Sequence, residues 1–387
     1  MHMRPAGAGA QRRPLWQAAL SVLAILAVAA GGGYLLFGRG GTASGHPLSA
    51  RSREAAHRPL AASAHSGHAL ATFSITWVGD MTFGSPGQWP PDGPGSLISG
   101  VASHLHSDLT IGNLETAVGT LPLAKCAPGE SDCYAFEAPP DTPRALRQAG
   151  FSAVNVANNH TLDAGEPGVA STDAALRSAH LVWDGRPGQI TYLTRHGIRI
   201  ALLGFAPWSY DANMLDIPAA AALVRQARKH AAVVIVMIHA GAEGPDAQHV
   251  RPGEEYYLGQ DRGNSIAFTH AVVDAGASLV MGSGPHVLRA MQWYRGHLIA
   301  YSLGNFCGYN TLGLNGVTAD SAILHVTLRA NGSFVRGSIT PIVLSEPGIP
   351  AVDPARTAVG LINSLSQDDF GGNGAVRLSA SGRIESP

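Results

Sequence analysis

Neither sign of charge dominates this chain: 26 Lys and Arg stand against 27 Asp and Glu, a formal net charge of -1. That balance supplies no broad positive field for a polyphosphate backbone, so nucleic acid is not an expected partner. Charged residues are scarce altogether, at 14%, and aromatic residues reach only 6%. Three cysteines in 387 residues are too few for a fold stapled together by disulfides. No internal repeat divides the chain. What the sequence does have is hydrophobic content, 45%, together with 47 glycines and 25 prolines. A chain of this length can bury a substantial core in one large or two modest domains, and the glycine and proline content calls for many turns.

Residues 15–37, LWQAALSVLAILAVAAGGGYLLF, carry no charge. At about 1.5 Å per residue they can cross a hydrocarbon core of about 30 Å. Arg4, Arg12 and Arg13 precede the run, which by the positive-inside tendency keeps residues 1–14 in the cytoplasm and exports the rest. Ala27-Val28-Ala29 leaves a cleaved signal peptide open, and the protein would then be secreted. Tyr34-Leu35-Leu36-Phe37 prolongs the run beyond a usual signal core and favours a single-pass anchor in the cytoplasmic membrane. Residues 38–71, rich in Gly, Ala, Ser, Arg and His, read as a flexible linker, with His46, His57, His65 and His68 as solvated side chains. Cys126 and Cys133 flank the loop CAPGESDC and are expected to bridge in an oxidising compartment. Cys307 is left over and reads as a small buried hydrophobe.

From residue 72 apolar runs alternate with helical patterns over 96–106, 142–149, 168–180, 219–230 and 264–275. Asp141-Thr142-Pro143 supplies one helix with a cap and a first-turn proline, and Gly150 and Gly276 end helices. The alternation predicts a largely parallel sheet with right-handed crossovers. After residue 290, AMQWY and HLIAYSLG around Arg295-Gly296, then AILHVTL and SFVRGSITPIVL around Asn331-Gly332, predict antiparallel hairpins. The expected fold is mixed α/β with two packed sheets over residues 72–346. Residues 347–387 form a C-terminal extension with few signals beyond a helix around 355–366.

Five polar signatures follow the apolar runs FSITWV, DLTI, FSAVNV, AVVIVMI and ASLVM: Gly79-Asp80, Gly112-Asn113-Leu114-Glu115, Ala157-Asn158-Asn159-His160, His239-Ala240-Gly241-Ala242-Glu243 and Gly284-Pro285-His286. Parallel strands of one sheet bring their carboxyl ends to one edge, where open α/β sheets bind ligands. Singly, a Gly-Asp after a strand is more often a turn, and a lone histidine is more often structural. Recurrence after five runs favours a metal site instead, and its mixed oxygen and nitrogen donors favour a transition metal over calcium. His104, His106, His180 and His270 fall on predicted helices and are not expected ligands.

The stretches GDMTFG, GNLETAVG, NVANNHTLDAG, VIVMIHAGAE and GPHVLRAMQWYRGHLIAYSLGNF resemble the capsule-synthesis CapA family, also called poly-gamma-glutamate synthesis proteins, from about 73 to 345. That family is similar in fold to the calcineurin-like metallophosphoesterases. The resemblance implies a sandwich of mixed sheets with flanking helices and one or two divalent ions, Mn, Fe or Zn. It implies metal ligation by Asp80, Asn113, Glu115, Asn159, His239 and His286, with His160 orienting substrate or protonating the leaving oxygen. From the residues themselves, Glu243 is a candidate to orient His239, and Arg289 and Asn305 are candidates to contact an anionic substrate, although an ordinary surface Arg and a structural turn Asn are the more frequent readings. Thr82 stands where a superfamily histidine is usual, and Gly282-Ser283-Gly284 departs from a family histidine before the Pro-His pair. These departures leave a one-metal or noncatalytic site open. Gly244 to Arg262 is longer than the corresponding family segment, and Gln248 or Gln260 could fill its usual glutamine. The implied role is making, exporting or attaching poly-gamma-glutamate or a related anionic envelope polymer, with other membrane subunits as partners. The alternatives are a general phosphoesterase and a noncatalytic polymer-binding subunit.

Overall fold

The structure, a computed structural model, describes residues 71–127, 130, 131 and 133–386. The expected cytoplasmic segment 1–14, the anchor or signal run 15–37 and the linker through 70 lie outside the described residues. Among the described residues no helix is long and apolar enough to cross a membrane.

Two sheets face each other. Among the described residues the first has nine strands; its main path runs Ile349–Val352, Phe334–Ser345, Asp320–Arg329, Thr72–Met81, Leu109–Leu114, Ala153–Asn155, Val182–Asp184. The second has six, in the order Met291–Tyr294, His297–Ala300, Leu279–Ser283, Val233–His239, Ile198–Phe205, Thr191–Arg195. Strand alternation sorts the side chains between layers. Ile235 and Met237 point into the inter-sheet core with Ile75, Trp77, Ile111 and Leu324, while Val234, Val236 and Ile238 lie under helices with Val224, Phe268 and Val272. On the first sheet's other face Val78, Met81 and Val154 pack against Leu97, Leu146 and Leu176 from three helices. Both faces of each central strand are therefore buried, which is why the runs read as continuously apolar. Trp77 ties the sheets together, its indole Nε1–H donating to the Gly282 carbonyl at 3.2 Å.

The predicted helices occur as Thr142–Gln148, Gly165–Ser178, Ile217–Arg228 and Ser265–Asp274. Asp216 and Asn264 cap the last two by accepting from Ala219 N at 3.0 Å and Ala267 N at 2.9 Å. Asp141 sits at an N-cap without a side-chain cap bond; its carboxylate meets Arg144 at 3.3 Å instead. Gly150 and Gly276 end their helices at φ 106° and 116°, the region glycine enters without steric cost. The helix expected over 96–106 is a short α-helix, Pro94–Ile98, running into a 3-10 turn, Ser99–His104. The two hairpins after residue 290 form, with Trp293 opposite Leu298 and Leu324 opposite Ile339. Two strands there are parallel to earlier ones, however: His297–Ala300 beside Leu279–Ser283, and Asn305–Cys307 beside Thr72–Met81.

The carboxyl-terminal residues are part of the body of the fold. Ile349–Val352 and Arg383–Ile384 pair with Phe334–Ser345. The helix Thr357–Gly374, longer than the expected 355–366 and kinked at Gly371 and Gly372, sends Ala358 and Ile362 into the inter-sheet core.

Candidate metal centre

The signatures converge as expected, but from two sheets and not one. Asp80, Asn113 and Asn155 stand in register at strand ends of the first sheet, while His239 pairs with Ser283 at strand ends of the second. Register shifts on either side of Asp80 turn its side chain toward the second sheet. Gly79 is dictated by crowding, since a Cβ there would lie 1.8 Å from the Gly304 carbonyl oxygen.

Asp80, Glu115 and His239 are fully buried, and one donor atom from each lies within 4.8 Å of the others. Glu115 faces three imidazoles: its Oε1 is 3.5 Å from His239 Nε2, 3.7 Å from His286 Nε2 and 3.7 Å from His160 Nε2. These separations are too long for hydrogen bonds, and neither Glu115 oxygen has a partner. The first two match the spacing of atoms that share one cation at about 2.0–2.2 Å each. His239 Nε2 and Asn159 Oδ1 are likewise buried and unpartnered. Orphaned buried polar atoms are rare in folded interiors, so the Asp80, Glu115 and His239 donors fit a divalent ion.

The electrostatics follow from burial and proximity. Burial, with the Asp80 charge adding to it, pushes Glu115 well above the usual carboxylate range. Asp80 goes the other way: burial opposes its ionisation, but His239 and His286 outweigh that and hold it well below the range. Burial also works against a charged His286, yet the carboxylates of Glu115, Asp80 and Glu243 raise it well above 6.5. His160 is lowered to about 4 by burial, despite Asp163.

Several expected roles change. Asn113 does not aim its amide oxygen at the centre: Oδ1 accepts from Asn155 Nδ2 at 2.9 Å and Asn158 Nδ2 at 3.3 Å, and Nδ2 donates to Asp80 at 2.8 Å. The two neighbouring amides fix that orientation, so Asn113 positions Asp80. Arg289 is 1% exposed and fully engaged, with Glu255 at 2.7 and 3.0 Å and the Ala247 carbonyl at 2.6 Å. It clamps the 242–255 loop and does not line the site cavity. Asn305 lines the cavity, but its Oδ1 takes His286 Nδ1 at 2.9 Å and its Nδ2 donates to the His286 and Thr318 carbonyls, so it orients His286. Glu243 reaches Arg262 at 2.6 Å and His286 at 3.9 Å, with no hydrogen bond to His239.

The two sequence departures have local causes. Gly284 sits at φ 112°, donates its N–H to Asp80 at 3.1 Å, and a Cβ there would come within 2.8 Å of Ala240 N. A histidine does not fit. Thr82 is buried and hydrogen-bonded to Thr311.

Above the centre lies a cavity of about 550 Å³ bordered by Asn159, His160, His286 and Glu243. Gln260 lines it and Gln248 does not; none of His104, His106, His180 and His270 does. Cys126 and Cys133 are bonded, and Cys307 is free and buried. Residues on both sides of that loop hold His160. Phe136 stacks on its ring at 4.2 Å, Lys125 donates to the Asn159 carbonyl at 2.9 Å, and Asp163 pairs with His160 Nδ1 at 2.7 Å. Asn158 lies in one of the five signatures but was given no role, and Asn155, Asp163 and Lys125 were not singled out from the sequence. Asn155 ends an apolar run, as Asp80 nearly does, and Asp163 follows His160 by three residues; those were the available signals.

Comparison with known proteins places this arrangement. Residues 74–310 match the model of the bacterial capsule synthesis protein PGA_cap family. The chain is 29% identical over 251 residues to the capsule biosynthesis protein CapA of Bacillus anthracis, covering 59% of this chain and 56% of that protein. It is 30% identical over 260 residues to the PGA biosynthesis protein CapA of Bacillus subtilis, covering 62% of each. The matched region thus spans about six tenths of those relatives. A hypothetical protein from Thermus thermophilus aligns in structure over 71% of this chain and 100% of its own, at 18% identity and a TM-score of 0.42, too low to bear on function. The chain belongs to the bacterial capsule synthesis protein PGA_cap family, within the metallophosphoesterase superfamily.

Proposed function

We propose that this protein is an accessory of poly-gamma-glutamate or related envelope-polymer synthesis, carrying a site for metal-dependent hydrolysis or transfer at an ester or amide bond. The observation that supports it is the Glu115 carboxylate, buried without a partner and facing three imidazole nitrogens at 3.5–3.7 Å. Asp80, Glu115, His239, His286 and the Asn159 amide oxygen would hold the ion. A bound divalent ion would polarise the scissile bond and acidify a water. Thr82 and Gly284 in place of histidines favour a single ion over a pair. The run 15–37 would anchor the chain in the cytoplasmic membrane with the site outside, beside other polymer-synthesis subunits.

His160 has the geometry of a proton carrier. Its Nδ1–H is committed to Asp163 at 2.7 Å, leaving the Nε2 lone pair toward the centre. A neutral imidazole so oriented accepts a proton from the attacking water and returns it to the leaving atom. Stacked Phe136 holds the ring in place, and Lys125 pairs with the other Asp163 oxygen at 3.3 Å.

The test is to measure bound metal in wild type, Asp80→Ala, His286→Ala and His160→Asn, and to assay each on a nitrophenyl phosphate and on polyglutamate. The first two variants should lose metal, whereas His160→Asn should keep it and lose turnover. Unchanged metal in both ligand variants would sink the site. Stoichiometric metal with neither substrate cleaved would turn the reading to polymer binding. Cleavage of the phosphate alone would turn it to a general phosphoesterase.

A further inference from the structure

The long segment after His239 folds back over the cavity as a hairpin, Glu255–Tyr257 and Gln260–Gly263, and brings Arg262 to the cavity wall. Arg262 is 3% exposed, and its guanidinium lies between the rings of Trp208 at 5.0 Å and Tyr257 at 5.2 Å. Its backbone is pinned, because the Arg262 carbonyl accepts from Gly241 N at 3.0 Å. Nη1 donates to Glu243 at 2.6 Å, while Nε is buried with no acceptor. A guanidinium has five donors, and burying one with an idle N–H is costly unless a ligand uses the group. Two short paths connect it to the metal centre. The other Glu243 oxygen is 3.9 Å from His286 Nε2, and the Trp208 ring is 6.0 Å from that of His239.

We infer that Arg262, held in its aromatic slot, is the recognition site for an oxyanion of the ligand, a carboxylate or a phosphoryl group, lying beside the metal centre. The chemistry suits it: a planar guanidinium pairs with two-oxygen anions and cannot lose its charge. The flanking rings exclude water and keep the fork rigid, so little side-chain freedom is lost on binding. Arg262 touches ligand and not the reacting bond, which makes it a determinant of affinity. The assignment rests on the proposed anionic-substrate site and names the group that reads the anion.

The test titrates inorganic phosphate and a glutamate trimer separately into the full chain, wild type and Arg262→Gln, loaded with Mn2+, with bound manganese measured on the same samples. Arg262→Gln should weaken at least one anion by about tenfold or more, as loss of a charge-assisted contact does. Manganese content should be unchanged, and the anion affected identifies the source. Affinities within twofold of wild type for both anions would overturn the inference. If wild type holds no manganese, the metal reading fails on its own and the same comparison is made on the metal-free proteins. If Arg262→Gln fails to fold, the Nε–H resonance of wild-type Arg262, assigned with Arg262→Lys, decides the matter. A shift on saturation with either anion supports the assignment, and none with both overturns it.

Discussion

Replacing Glu115 with glutamine should push stability and metal affinity in opposite directions. The carboxylate is fully buried, and neither oxygen has a hydrogen-bond donor. An unpartnered buried acceptor costs about 1–3 kcal/mol. Glutamine keeps the shape and still leaves its oxygen unpartnered, but it cannot ionise, so above pH 4.5, where wild type loses stability by holding Glu115 protonated, metal-free Glu115→Gln should be the more stable protein, with a gain that grows as pH rises toward the folded value. The pH dependence has a definite sign. Glu115 is raised above its ordinary value of 4.5, so its contribution to stability is full below that pH and lost as pH rises through the folded value. The variant should lack that slope. With metal the order reverses. Loss of a ligand should weaken Mn2+ binding by at least about a hundredfold, since even outer partners cost tens of fold. Thermal melts in chelator and in Mn2+, with calorimetric titration, measure both effects. If the cluster were only an ion-pair network, removing Glu115 would strand a charged His286, destabilise the metal-free protein by about 3–5 kcal/mol and leave no metal dependence. That pattern would refute the reasoning.

Because Glu115 and His286 are both raised, the metal-free site holds protons that metal must displace, so Mn2+ affinity should rise with pH, by up to about tenfold per unit for each proton released. Calorimetry in two buffers of different ionisation enthalpy counts the protons, and a count of zero contradicts the assignment. Arg289→Met should cost about 3–5 kcal/mol in urea denaturation, because it strands Glu255 and frees the Ala247 carbonyl; a loss below about 1 kcal/mol would mean the clamp is dispensable. Gly204→Ala places a Cβ 2.1 Å from Asn155 Oδ1, and Asn155 holds Asn113, which holds Asp80. Stability should drop by about 1–3 kcal/mol and Mn2+ affinity with it; wild-type values for both would break that chain of contacts.

The central strands were legible because a strand buried on both faces has to be written as a continuous apolar run, and 232–238 or 277–281 can hardly be read otherwise. The ligand candidates were legible for a related reason, since polar residues directly after such runs sit at strand ends. Asn113 shows where this stops. Its place at a strand end is local information, but which end of its amide faces the centre is set by Asn155 and Asn158, 42 and 45 residues away. Arg289 was misread for the same kind of reason: a cation after a strand looks solvent-facing until Glu255 and the 242–255 loop close over it.

The sequence by itself determined the central buried strands, the glycines that end helices at 150 and 276, the pairing of Cys126 with Cys133 and the family, because each depends on residues close together in the chain or on ordered short motifs. Only the tertiary structure decided that the strand ends belong to two facing sheets, that Glu115 and not Asn113 lies at the middle of the donors, and that Gly284 leaves no room for a histidine. It also put Arg262 at the cavity wall. Those outcomes depend on distances between atoms far apart in sequence, which packing fixes and periodicity does not encode.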